Sequence, residues 1–353
     1  MPQEKKRQVN FELLRVVAML MIITLHYLSK GNVEVKLSVD GSLYNHAVWL
    51  IGAFCNAAVN AYVLISGYFL VEAKWNPKKL LSLLLQVLFY SILIPVVLLL
   101  FGMAPVTDWN AYDWMNAVLP IQTEHYWFAT AYVVLYMLAP LLAAGIKNLS
   151  KKQLQITIGL LLLFFCIPKS INPVLIATDH YGYDYGWFIC LFLIAGYIRL
   201  YGLSFFKNEK RSVILYVIFV IANFGVCALM GLICRRTGKL EYYMDMTYSY
   251  NYILVLLSSI ALFYVFMYIK IPDGKLAKCI GWLAPCTFGV YLLHENLAVR
   301  LQWPGWLGIE SVKGTPLIFV HLIISILIVF IVGVMVDRVR ITIFDAVKKL
   351  FKK

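Results

Sequence analysis

Apolar runs of membrane-crossing length recur along almost the whole chain, which leaves little choice of fold. A helix needs about 20 mainly apolar residues to cross roughly 30 Å of hydrocarbon. Windows of that kind fall near residues 11 to 29, 48 to 70, 80 to 101, 126 to 145, 154 to 168, 186 to 203, 212 to 233, 250 to 270, 280 to 299 and 315 to 337. The expected fold is therefore all-α, a polytopic membrane bundle of about ten transmembrane helices. The fifth window is the weakest. It is expected to be short or tilted, with the loop 169 to 185 returning to the membrane surface. The chain is 62% hydrophobic and 14% charged, with a mean hydropathy of +0.79. Soluble domains average roughly half apolar and about a quarter charged, so composition points the same way.

A net charge of +13 can signal a nucleic-acid partner, but here the basic residues lie in short clusters between apolar runs. Such clusters are what the cytoplasmic ends of membrane helices carry, so no nucleic acid is expected. With the N-terminus inside, 22 basic residues fall on the cytoplasmic side, including Lys5, Lys6, Arg7, Lys352 and Lys353, and 8 on the other. Arg15 lies within a helix. That asymmetry sets both termini in the cytoplasm. The first apolar run is followed by His-Tyr-Leu-Ser-Lys with no small-residue cleavage site, so it reads as a retained helix. The seven cysteines have no CxxC or metal-ligand spacing and read as small hydrophobes. The longest loop, residues 102 to 125, is too short for an independent domain, so residues 1 to 353 are read as one integral-membrane domain.

Function must then reside in polar residues that hydrocarbon tolerates poorly. The first window holds two, Arg15 and His26. Eleven residues is close to three helical turns, so both lie on one helix face, about 16 Å apart along the axis. Arg15 falls toward the cytoplasmic side, either paired with Glu12 three residues earlier or binding an anion from the cytoplasm. His26 falls in the outer half, as an interfacial ring beside Tyr27 or as a base suited to accept a hydroxyl proton near neutral pH.

Further polar positions share that outer level. Glu124 and His125 open the fourth window, and His294, Glu295 and Asn296 lie 13 to 15 residues into the ninth. Asn56 and Asn60 are four apart on one face of the second, as interhelical glue or as substrate contacts. The loop 102 to 125 carries Asp108, Asp113 and Glu124 and, with Trp109, Trp114, Tyr126 and Trp127, forms an aromatic, acidic rim. Those rings either anchor the interface or stack on sugar. His46 and His180 read as loop residues and His321 as a satisfied helix donor. Lys74, Lys78 and Lys79 mark topology or bind a nucleotide-containing donor. No HExxH, CxxC or carboxylate triad suggests a metal, and no GxxxxGK[ST] suggests ATP-driven transport.

Four blocks extend these single residues. They are FELLRVVAMLMIITLH from residue 11, AYVLISGYFL from 61, EHYWFATAYVVLYMLAPLL from 124 and CTFGVYLLHEN from 286. In this order the chain resembles the integral-membrane acyltransferase 3 family, whose members include O-acetyltransferases of bacterial surface polysaccharides. The first block matches its arginine, ten residues, histidine pattern. The other three resemble its "FFxLSGF", "HxWFL...YLLAPLL" and "S/T-x-G-x-YLxH" segments.

The resemblance implies a ten-helix core in a bacterial plasma membrane. It implies an acyl group, acetyl first among candidates, taken from cytoplasmic acyl-CoA and delivered to a hydroxyl of an extracytoplasmic or lipid-linked glycan. It makes His26 the catalytic histidine and Arg15 its partner near the donor. Where the family often has an arginine-x-arginine pair this chain has KWNPKK, so Lys74, Lys78 and Lys79 are the substitutes, without the bidentate guanidinium fork. Asn56, Asn60, Glu124, His125, Trp127, Tyr291, His294 and Glu295 are candidates for acceptor or transition-state support. No cofactor is expected to be bound permanently. Acyl-CoA is a substrate, and membrane lipids and envelope-polysaccharide assembly proteins are the expected partners. With no fused esterase-like domain, acceptor binding falls to the membrane part or to a partner. The rival readings are a polysaccharide or lipid-linked-sugar exporter and a scaffold in an assembly complex.

Overall fold

A computed structural model describes residues 8 to 171 and 180 to 350. The basic residues Lys5, Lys6, Arg7, Lys352 and Lys353, and the middle of the loop 169 to 185, lie outside them. The described residues are helical and contain no strand. In chain order the helices are α1 (Val9–Lys30), α2 (Leu43–Cys55), α3 (Ala58–Leu70), α4 (Pro77–Leu100), α5 (Ala111–Val118), α6 (Trp127–Asn148), α7 (Lys151–Phe165) and α8 (Ile167–Ile171). They continue as α9 (Tyr185–Tyr201), α10 (Glu209–Thr237), α11 (Glu241–Asp245), α12 (Ile253–Tyr268), α13 (Lys275–Leu283), α14 (Thr287–His294), α15 (Trp303–Trp306) and α16 (Leu317–Leu350).

Eight helical stretches are long and apolar enough to cross a membrane: Val9–Lys30, Leu43–Leu70, Pro77–Leu100, Trp127–Asn148, Glu209–Thr237, Glu241–Tyr268, Lys275–His294 and Leu317–Leu350. The windows at 154 to 168 and 186 to 203 coincide with α7 and α9, of 15 and 17 residues, which are shorter than that criterion. Three boundaries differ from the expected ones. The second window is not one uninterrupted helix, because the chain loosens at residues 56 and 57 between α2 and α3. Asn56 is therefore a C-cap residue rather than a mid-helix one. α6 begins at Trp127, leaving Glu124 and His125 in the preceding turn, where Glu124 takes a φ of 53°. α14 stops at His294, so Glu295 and Asn296 lie past a helix end. His46, expected in a loop, sits in the first turn of α2.

The chain divides into two compact units. The first comprises residues 1 to 31, 86 to 126 and 270 to 353. In it α1 packs on α13, α14 and α16, and α14 packs on α16. Gly289 of α14 permits that last contact, since a Cβ there would run into the carboxylate of Asp337. Asp337 is fully buried, yet its charge is matched. Arg340 Nε and Nη2 donate to its two oxygens at 2.6 and 3.0 Å, and Tyr90 Oη donates at 2.9 Å. A buried carboxylate is tolerable when paired and hydrogen-bonded in this way.

The second unit comprises residues 32 to 85 and 127 to 269. Its α9 packs against α3, α6 and α7, and α12 against α3 and α10. Gly67, within the ISGYF block, lets α3 meet α9 closely. A Cβ there would lie 2.8 Å from Ala195 Cβ and 3.1 Å from Phe192 Cα. Small residues at such crossings let membrane helices gain dispersion contact where no hydrophobic drive exists between them.

Pro140, inside α6, cannot donate to the carbonyl of Tyr136 four residues earlier. The indole N–H of Trp75 takes that acceptor at 3.1 Å, and Tyr136 Oη donates to the Asn76 carbonyl at 3.2 Å. The KWNPKK loop is thereby pinned to α6.

Candidate active site

In the first unit the last two turns of α1 and the C-terminal end of α14 bring His26, Lys30, His294 and Glu295 together. His26 and Lys30 are one helical turn apart and so share a face. His294 is the last residue of α14 and Glu295 its C-cap. The turn carrying Glu295 is fixed by Asn296, whose Nδ2 donates to the Tyr90 carbonyl at 3.0 Å and to Tyr126 Oη at 2.9 Å. Its Oδ1 accepts from the Ala298 N–H at 3.0 Å. Such side-chain bonds to nearby backbone compete with helical pairing and suit a helix end.

The histidine pair is close. His26 Nδ1 lies 2.9 Å from His294 Nε2 and 3.1 Å from Glu295 Oε1, and Lys30 Nζ pairs with the same carboxylate oxygen. His294 Nδ1 lies 2.6 Å from the Val290 carbonyl. A carbonyl only accepts, so Nδ1 of His294 carries the proton, and in the neutral ring Nε2 is left as an acceptor. His26 Nδ1 must then be the donor toward His294 Nε2 and Glu295 Oε1. The network thus assigns the lone pair of His26 to Nε2, the nitrogen turned away from the cluster. The side chain of His26 is 17% exposed, so the ring sits at the edge of the buried cluster.

Tyr291 and Trp303 wall the cluster, their rings meeting His294 edge-on at centroid distances of 6.2 and 6.4 Å. Tyr27, whose ring lies 6.2 Å from that of Trp303, bonds His321 Nδ1 at 2.6 Å, while His321 Nε2 lies 2.8 Å from the Leu307 carbonyl. His321 is thus the satisfied donor that its sequence position suggests.

The remaining candidates have distinct settings. Arg15 pairs with Glu12 at 2.7 Å, the helix-end ion pair offered as one of its two readings. His125 has both nitrogens engaged. Nδ1 lies 3.2 Å from the Asn116 carbonyl and Nε2 accepts the Leu297 N–H at 3.2 Å. Burial is the largest cause of a pKa lowered to about 4, so His125 is a neutral clamp on the turn that bears Glu295. Glu124 is exposed beside it.

Asn56, Asn60, Lys74, Lys78, Lys79 and Trp127 belong to the second unit. Both polar atoms of the Asn60 amide are engaged, Nδ2 donating to the Tyr250 carbonyl at 2.8 Å and Oδ1 accepting from Trp187 Nε1 at 3.0 Å. Asn56 is buried, and its Nδ2 has no hydrogen-bond partner among the described residues. Trp127 joins an aromatic cluster, 4.5 Å from the Tyr183 ring and stacked on Tyr250 at 5.9 Å. Lys74, Lys78 and Lys79 are exposed. Beside them opens a cavity of about 380 Å³ bounded by Trp75, Leu70, Pro140 and Lys147.

Sequence reasoning did not single out Lys30. The signal was present, because a lysine four residues after His26 shares its helix face. The union of His26 with His294 had no such signal, the two being 268 positions apart.

Comparison with known proteins agrees with the resemblance. The chain matches the family described as the acyltransferase domain, Acyl_transf_3, over residues 8 to 336. It therefore belongs to that family and is a membrane acyltransferase, transferring groups other than amino-acyl groups. No curated protein and no solved structure matches it significantly.

Proposed function

We propose that this acyltransferase works in a bacterial plasma membrane as an O-acyltransferase. It takes an acetyl group from cytoplasmic acetyl-CoA and delivers it to a hydroxyl of an extracytoplasmic or lipid-linked glycan. The observation that carries this reading is the orientation of His26. Its Nδ1–H is committed to His294 and Glu295, which leaves Nε2 as the one basic ring nitrogen.

In this scheme the acceptor hydroxyl gives its proton to His26 Nε2 as its oxygen bonds to the thioester carbonyl carbon. The imidazolium that forms lies beside the Glu295 carboxylate, 3.1 Å from Nδ1, which stabilises the positive charge as it develops. Tyr291, against the His294 ring, is the candidate donor to the oxyanion that belongs to the same unit. Collapse of the tetrahedral species breaks the carbon–sulfur bond. The thiolate leaves as coenzyme A and takes the proton from Nε2, so the histidine is restored.

Lys74, Lys78 and Lys79 supply point charges suited to the donor phosphates, and the cavity beside Trp75 adds Lys147 to that set. Trp127 and Tyr183 offer ring faces suited to a sugar acceptor.

The test uses membrane vesicles loaded with radiolabelled acetyl-CoA, with a glycan acceptor outside. Label appearing on outer hydroxyls in step with thioester loss supports the proposal. Glycan movement across the membrane with the thioester intact would instead identify an exporter.

A further inference from the structure

His26, His294 and Glu295 each offer one potential metal-ligand atom, and these atoms lie within 4.8 Å of one another. Around Zn²⁺, bonds of about 2.0–2.1 Å to nitrogen and about 2.0–2.2 Å to oxygen give tetrahedral ligand–ligand edges of roughly 3.3 Å. The observed separations from His26 Nδ1, 2.9 and 3.1 Å, fall within a few tenths of an ångström of that edge. Two imidazoles and one carboxylate suit Zn²⁺ or Co²⁺ better than the hard cations that prefer all-oxygen shells.

The second bond of His294 adds an independent observation. Its Nδ1–H is held by the Val290 carbonyl at 2.6 Å, the outer-shell arrangement that fixes the tautomer of a metal-binding histidine and leaves Nε2 ready to coordinate. His294 and Glu295 are both buried, so two of the three ligands are already ordered.

One group competes. Lys30 Nζ now satisfies Glu295, as a cation in the position an ion would take. Lys30 is the last residue of α1 and its side chain is partly exposed, so its ammonium has a route to solvent.

We propose that this triad is an inhibitory site for Zn²⁺ and similar divalent transition ions, which displace Lys30 from Glu295 and coordinate His26 through Nδ1. Coordination requires the Nδ1 lone pair, so the ring proton moves to Nε2. The nitrogen needed as base is then protonated and transfer stops. The inhibition rests on the proposed role of His26, whereas binding of the ion does not.

Co²⁺ titrated into tag-free protein in detergent reads binding through the visible d–d bands of a tetrahedral site. One equivalent is expected to saturate the signal, and Zn²⁺ to displace it. His294→Gln and Glu295→Gln are expected to weaken binding at least tenfold. Lys30→Ala is expected to tighten it at least tenfold by removing the competing cation, an effect no loss of folding produces. A wild-type protein without the bands, or Lys30→Ala binding no tighter than wild type, overturns the site. In the transfer assay Zn²⁺ is expected to inhibit over the range in which it displaces Co²⁺. Full activity with the site saturated would retain the ion but overturn the inhibitory mechanism and the assignment of His26 as base.

Discussion

His294 holds His26 in one tautomer: its Nε2 lies 2.9 Å from His26 Nδ1, while its own Nδ1 is tied to Val290 on the preceding helical turn. A ring otherwise free to place its proton on either nitrogen is thereby given one basic edge. Catalysis in this account depends on that edge and on the Glu295 carboxylate next to it.

Replacing the partners should therefore damage turnover more than binding. His294→Gln and Glu295→Gln are expected to lower kcat by about 10- to 100-fold with KM for the acyl donor within about twofold of wild type. Steady-state kinetics in vesicles separates the two. A rise in donor KM at unchanged kcat would make these residues binding groups.

Asn60 is expected to act through stability. Asn60→Ala removes the bond to the Tyr250 carbonyl and the acceptor of the buried Trp187 indole N–H, the latter at a cost of about 1–3 kcal/mol. Thermal unfolding in detergent should show a lower Tm, with the KM values of the folded enzyme unchanged. A normal Tm with a raised acceptor KM would make Asn60 a substrate contact.

Gly289→Ala tests the packing beneath the site. The added methyl meets the Asp337 carboxylate, which Arg340 and Tyr90 hold in place, so little room exists for relaxation. A loss of about 1–3 kcal/mol is expected from overpacking. Unchanged thermal stability would mean that α14 shifts freely against α16.

Glu34, in the connection between α1 and α2, has a pKa raised by burial from 4.5 to about 7. A carboxyl that holds its proton more tightly when folded costs stability as pH rises above the unfolded value, and the loss is complete above the folded one. Wild-type Tm should therefore fall between pH 4.5 and about 7. Glu34→Gln should match wild type near pH 4.5 and exceed it by a few °C at pH 8, equivalent to on the order of 2 kcal/mol. Parallel pH profiles for the two proteins would refute the assignment.

The all-helical membrane fold was legible in the sequence because hydropathy reports span length directly. The pairing of Arg15 with Glu12 was legible because it is local, three residues along one helix. Hydropathy is silent on the meeting of His26 with His294. Helices apolar on every side carry no stripe that says which face meets which neighbour. The interruption after Cys55 and the end of α14 at His294 were hidden for a related reason, since both fall inside windows whose mean hydropathy reads as one continuous span, and Asn296 fixes the second by accepting the Ala298 N–H. The KWNPKK loop was read by its charge alone. Its attachment to α6 depends on the carbonyl that Pro140 leaves unpaired in a distant helix.

The most direct measurement is the rate of acyl transfer by His26→Ala in vesicles loaded with radiolabelled acetyl-CoA, with wild type in parallel and coenzyme A binding verified by calorimetry. The account predicts a loss of about 100- to 10,000-fold in transfer with coenzyme A affinity preserved. Transfer at the wild-type rate by a variant lacking this imidazole would contradict it.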